Sequence, residues 1–319
     1  MTHIFSGDSK NKFLMKEQIR QHALDLGFAA CGFAEARPLD DLRDFYRHFL
    51  EEERQATMAY LQRYAPQRLD PDVLLPGVRT VLAVLMNYYP PSFIPEEDNF
   101  ILAKYAPGKR YPPYIKRKME PLLALISSLG DNVQSKIYVD SGPVLEKAWA
   151  QRCGMGWQGK HTIIINPSMG SYFYIGIILT TLDLEADLPQ KDHCGHCTKC
   201  MEACPTGAID RPYQLDIRKC ITYCTTVKNT EMPRDVSRNL RGRIFGCDIC
   251  QDACPYNRFS KPTTDPHFHP SGALLKMRRN DWINLSKERF DELFEGTSVE
   301  ESGYERLMRN IEYAGELTP

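Results

Sequence analysis

The chain has 319 residues, of which 42% are hydrophobic and 25% charged, with a formal net charge of −1. That length buries a sizeable core and accommodates two or three domains, which excludes a disulfide-stapled miniprotein. The near-neutral total hides basic clusters at Lys104 to Lys118, Arg234 to Arg243 and Arg278-Arg279, which suit an anionic partner.

In chain order, the polar N-terminus lacks the apolar core of a signal peptide, and no apolar run approaches a membrane span. A cytoplasmic protein with no membrane association is the expectation. Hydrophobic periodicity predicts a helix near 12–26, an apolar stretch at 28–33, helices at 38–51 and 53–63, and a strand "TVLAVLMNY" at 80–88. A helix at 114–129, a strand at 136–139, a helix at 143–152 and strands at 161–165 and 171–181 follow. This is an α/β (α+β) pattern. Asp140 stands between a predicted strand and a predicted helix, where active-site residues of open α/β folds collect and where helices are also capped.

The stretch "CGMGWQGKHT" at 153–162 carries the glycines of a dinucleotide fold and nearly those of a phosphate loop. A phosphate loop runs from strand into helix, whereas here a helix precedes and a β-branched strand follows. His161 also stands where magnesium-binding Ser or Thr would follow the lysine. The glycines therefore predict a tight, close-packed turn, with Gly154 as the helix C-cap.

The Asp-Leu-Pro stretch at 187–189 leads into a cysteine-rich region holding nine of the 11 cysteines, Cys194 to Cys254. Segment 259–270 is Pro-, His- and Thr-rich and predicts an irregular connection, and "DWINLSKERFDELF" and "GYERLMRNIEYA" predict a helical tail. The expected units are therefore 1–186, 187–258 and 259–319.

Cys194-x-x-Cys197-x-x-Cys200-x-x-x-Cys204-Pro205 has the bacterial ferredoxin spacing, in which three thiolates hold one [4Fe–4S] cluster and the fourth crosses to another. Cys247-x-x-Cys250-x-x-x-Cys254-Pro255 supplies the complement. Cys194, Cys197 and Cys200 thus pair with Cys254, while Cys204, Cys247 and Cys250 need one further ligand. Ile244 occupies the usual place of that ligand, which leaves Cys220 and Cys224 as the candidates. Zinc, the alternative for Cys-x-x-Cys pairs, does not require the third cysteine or the Cys-Pro ending.

The segments "LLPGVRTVLAVLMNYYP", "VDSGPVLEKAWAQRCGMGWQGKHT", "CITYCT" and "GCDICQDACPYN", in this order with the first cysteine run, resemble the cobalamin-dependent epoxyqueuosine reductases. The resemblance implies a cobalamin-binding catalytic domain followed by a ferredoxin-like domain with two [4Fe–4S] clusters. It implies reduction of epoxyqueuosine to queuosine in the tRNA anticodon loop, fed by an external low-potential electron donor, by a chain expected to act as a monomer. It assigns Cys220 as the missing ligand, Asp140 as the proton donor, and Arg63, Asp140, Thr222 and Asp248 as corrinoid contacts. Arg110 and Pro112 stand where the family usually has Asp and His. The competing readings are a dehalogenase-like corrinoid reductase of small molecules and a two-cluster electron-transfer protein.

Overall fold

The computed structural model describes residues 7–227 and 231–315. Its central sheet uses β1 (Ala30–Glu35), β2 (Thr80–Asn87), β3 (Ser135–Tyr138) and β4 (Phe173–Thr180). The order is β1-β2-β4-β3, and every neighbouring pair is antiparallel. The fold is therefore mixed α and β with an antiparallel central sheet, so position at a topological switch point does not explain Asp140.

Side-chain alternation along β2 builds two cores. Leu82, Val84 and Met86 face a layer formed by α1 (Gly7–Asp25) and helix 111–128, through Ile19, Ala23, Ile115, Met119, Leu122 and Ile126. Val81, Ala83 and Leu85 face the opposite layer, where α2 (Asp40–Glu51) and helix 146–152 contribute Tyr46, Ala148 and Trp149. Helices on both faces explain why this strand is apolar throughout rather than alternating. Each fully buried Val or Leu contributes roughly 1.5–3 kcal/mol relative to exposure.

A third core joins widely separated stretches. Phe100 and Leu102, the helix Ile221–Thr226, the strand Arg243–Phe245 and the C-terminal helices meet around Trp282 and Phe294. Ile101 and Leu102 pair in parallel with Arg243 and Phe245, and Asn310 donates to the carbonyls of Thr225 and Ile244. The chain after residue 259 thus packs into the same core as the cysteine-rich region.

Several expected boundaries move. Residues 53–63 are not one helix: Glu53 and Ala56 have positive φ, and only Tyr60–Arg63 is helical there. The helix expected from 143 starts at Glu146, because the backbone turns through Asp140 at φ 61° and Pro143 precedes the helix. The strand expected over 161–165 shortens to Ile164–Ile165. Gly154, at φ 73°, does follow the helix end in the left-handed conformation expected of its C-cap glycine.

Candidate functional site

The first cysteine set encloses a cavity. Cys194, Cys197, Cys200 and Cys254 all line one space of ≈ 290 Å³, with Lys160, His161 and Tyr256. Cys200 lies within electrostatic reach of Cys194, Cys254 and Cys197. Lys160 Nζ donates to the carbonyls of Gly195 at 2.7 Å and Cys197 at 3.0 Å, clamping the loop that carries two of these thiols. Among the described residues no three His, Cys, Asp or Glu side chains close on a single ion. A cavity ringed by four cysteines suits a cuboidal group, whose corners hold the thiolates farther apart than a lone zinc does.

The second set forms where three segments meet. Cys250 lies within reach of Cys220, Cys247 and Cys204. Cys220 immediately precedes the helix Ile221–Thr226, with its sulfur near Thr222 and Tyr223, and burial raises its thiol pKa. Burial likewise pushes the Cys247 thiol up, to about 12, with the Ile249 backbone opposing it. Cys224 points elsewhere: it is fully buried in the third core, with its sulfur 3.5 Å from the Arg218 carbonyl.

Beside this second set lies a larger cavity of ≈ 510 Å³, lined by Phe45, Tyr46, Phe49 and Leu61 on one side and by Arg68, Asp140, Glu146 and Lys147 on the other. Its apolar walls and convergent polar groups are the usual make-up of a small-molecule or cofactor site. Arg68 is buried, and its Nε has no hydrogen-bond partner in the protein, an unmet donor in a wall of this cavity.

Asp140 is exposed to the cavity on a backbone held in the left-handed region. Glu146 Oε1 accepts from the Asp140 N–H at 2.5 Å, and the Tyr111 hydroxyl lies within electrostatic reach of the Asp140 side chain. Burial, and then the neighbouring Asp140 charge, push the Glu146 carboxyl up to about 8. Lys147 also lines the cavity, exposed to solvent and within electrostatic reach of Glu146, Cys220 and Cys250. Tyr105, partly buried, lies within electrostatic reach of Asp248, Asp140 and Cys220, and so stands between the Asp140 loop and the second cysteine set.

The other expected contacts distribute differently. Thr222 follows Cys220 in sequence at the start of the helix Ile221–Thr226. Asp248 is buried, and its Oδ2 accepts from the Lys104 N–H at 2.6 Å, anchoring the segment that follows Leu102. Burial raises its carboxyl to about 6, against the opposing effect of Lys104. Arg63 is exposed at the end of its short helix, whereas Arg68 reaches the cavity wall. Arg110 pairs with Glu301 at 2.7 Å, and Pro112 lies in the first turn of helix 111–128. Sequence reasoning missed Arg68, Tyr111, Glu146 and Lys147. Glu146 alone left a signal, as the acid closing the "VDSGPVLE" segment.

A mixed α and β domain joined to paired cysteine sets defines the class: a double-cluster iron–sulfur protein. Residues 193–257 match the model of a 4Fe-4S double cluster binding domain, and residues 68–141 match "Epoxyqueuosine reductase QueG, DUF1730". An epoxyqueuosine reductase of Cellulophaga algicola is 38% identical, over 92% of this chain and 96% of the relative. That of Escherichia coli K12 is 33% identical, over 94% and 80%. A crystal structure of epoxyqueuosine reductase with an epoxyqueuosine-modified tRNA stem loop superposes with a TM-score of 0.84 at 29% identity, covering 95% of this chain and 81% of that one. This chain belongs to the epoxyqueuosine reductase family.

Proposed function

We propose that this protein reduces epoxyqueuosine to queuosine at the wobble position of tRNA, with Asp140 as proton donor. The observation that carries the reading is Asp140 in a cavity whose Lys147 lies within electrostatic reach of Cys220 and Cys250. The overall change consumes two electrons and two protons per epoxide and releases water. An external low-potential donor supplies the electrons, one at a time, through clusters held by Cys194, Cys197, Cys200 and Cys254 and by Cys204, Cys220, Cys247 and Cys250.

Cobalamin, when bound, supplies a low-valent cobalt able to reduce the carbon–oxygen bond. The apolar wall of Phe45, Tyr46, Phe49 and Leu61 suits a corrin face, and the unmet Arg68 donor suits its amide rim. Thr222 and Asp248 border the cluster side, and Arg63 would reach the rim only from outside the cavity. Asp140 delivers one proton to the departing epoxide oxygen. Glu146 fixes its position by accepting from its backbone N–H.

Residues 1–186 form the catalytic unit in this reading, 187–258 the cluster unit and 259–319 the tail that buttresses it. The anticodon loop offers unstacked bases that can enter a pocket, while the basic stretches at Lys116–Lys118, Arg241–Arg243 and Arg278–Arg279 hold phosphates. The chain works as a monomer in the cytoplasm; among its described helices none is long and apolar enough to cross a membrane.

The test is single-turnover reduction of epoxyqueuosine-containing tRNA by the anaerobically reconstituted holoenzyme, with nucleosides identified by mass spectrometry. Wild type converts the substrate, and Asp140→Asn retains its cofactors but loses turnover by ~100-fold or more, the scale of a general acid. Unchanged turnover in Asp140→Asn removes that residue from the mechanism.

A further inference from the structure

The glycine-rich segment 153–162 is not a nucleotide loop, and its chemistry is directed elsewhere. It forms a wall between the two cavities: Lys160 and His161 line the one ringed by the first cysteine set, while Gln158 and Thr162 line the one containing Asp140. Gly156 makes the turn possible. Its φ is 151°, and a Cβ there would meet the Ile165 carbonyl oxygen at 2.1 Å.

Two buried donors on this wall lack partners within the protein. Trp157 is 0% exposed and packs against Cys254 and Cys194, and its Nε1 has no hydrogen-bond partner. His161 is 3% exposed, and its Nε2 is also unpaired. The Ile163 N–H donates to His161 Nδ1 at 3.1 Å, which fixes the tautomer and leaves the ring hydrogen on Nε2. A buried N–H without an acceptor is strongly unfavourable, so two beside one set of ligands imply an acceptor that occupies the cavity.

We propose that Trp157 and His161 donate hydrogen bonds to the cluster held by Cys194, Cys197, Cys200 and Cys254, Trp157 to the Cys194 sulfur and His161 to an inorganic sulfide. Reduction adds one electron to the cluster, and donors to its sulfurs stabilise the more negative form. The two residues thus raise the potential of this cluster above the value it would have without them. They are positioning and tuning residues rather than catalytic ones. The inference rests on the double-cluster reading of residues 193–257 and is independent of the substrate assignment.

The test is a redox titration of anaerobically reconstituted protein followed by electron paramagnetic resonance, with iron counted in each sample. Trp157→Phe and His161→Leu each move the midpoint of one cluster to a more negative potential and leave the other in place. His161→Gln, which keeps an N–H, restores part of the shift. Should either variant fail to load iron, wild-type protein labelled with 15N-histidine or 15N-tryptophan replaces it: pulsed spectra of the reduced cluster contain a coupling to each labelled N–H. Unmoved midpoints in loaded variants, equal shifts of both clusters, or labelled spectra without these couplings overturn the proposal. Incomplete iron loading of the wild type would instead challenge the cluster reading beneath it.

Discussion

Glu146 offers a sharp test of how Asp140 is held. Its carboxyl accepts the Asp140 N–H, and its pKa rises from 4.5 to about 8, first by burial and then by the Asp140 charge. At pH 7 about one molecule in ten carries the ionised form, by the separation of one unit between pH and pKa. The upward shift of about 3.5 units corresponds to an upper bound of about 5 kcal/mol disfavouring the ionised form, reduced by the part of the side chain that solvent reaches in the cavity.

The sign for stability follows from proton binding. Above pH 4.5 the unfolded chain releases this proton while the folded protein retains it, so stability falls as pH rises toward 8 and then levels. Glu146→Gln mimics the protonated acid and keeps the oxygen that accepts from Asp140. Its stability is expected to lack this decline, and its turnover at pH 6.5 to stay within about threefold of wild type, a loss below ~1 kcal/mol. Wild-type turnover should show an alkaline decline near pH 8 that Glu146→Gln does not show. Identical alkaline limbs in single-turnover pH profiles would refute the role of Glu146.

Cys220→Ser should reduce iron from about eight to about four per chain and abolish one electron paramagnetic resonance signal, whereas Cys224→Ala should keep both clusters and cost about 1 kcal/mol of stability. The reverse pattern in an iron assay would exchange the two cysteines. Arg68→Met keeps the apolar packing but removes the unmet donor, and equilibrium dialysis should find cobalamin bound about tenfold more weakly, the loss of ~1.4 kcal/mol. Equal retention would place the corrinoid away from this wall. Binding of the tRNA stem loop should weaken with salt by about 0.7 logarithmic units per decade for each phosphate held, and a flat response would remove the basic stretches from recognition.

Much of this was legible because the chemistry constrained local spacing. Cys194, Cys197 and Cys200 must approach one cluster from a single loop, and that requirement is written in adjacent residues. Strand 80–87 was legible because its apolar run exceeds what a half-exposed strand would carry. The antiparallel order was hidden, since it depends on which helices cover which face, and periodicity is the same for either direction. Residues 53–63 were misread because positive φ at Glu53 and Ala56 is set by tertiary packing rather than by their helix-favouring composition. Arg68 and Lys147 were invisible for a related reason: a lone cation on a helix carries no mark of the cavity it will border. Spacing could not separate Cys220 from Cys224. The fold adds that Cys220 lies within electrostatic reach of Cys250, while Cys224 is fully buried in a core.

The central claim is that two clusters and a corrinoid share this chain and serve one reduction. Protein reconstituted anaerobically with iron, sulfide and hydroxocobalamin, then desalted, should retain about eight irons and about one cobalt. The same sample should convert epoxyqueuosine-containing tRNA when given a low-potential donor. About eight irons without retained cobalt, and no conversion, would contradict the account and favour an electron-transfer protein.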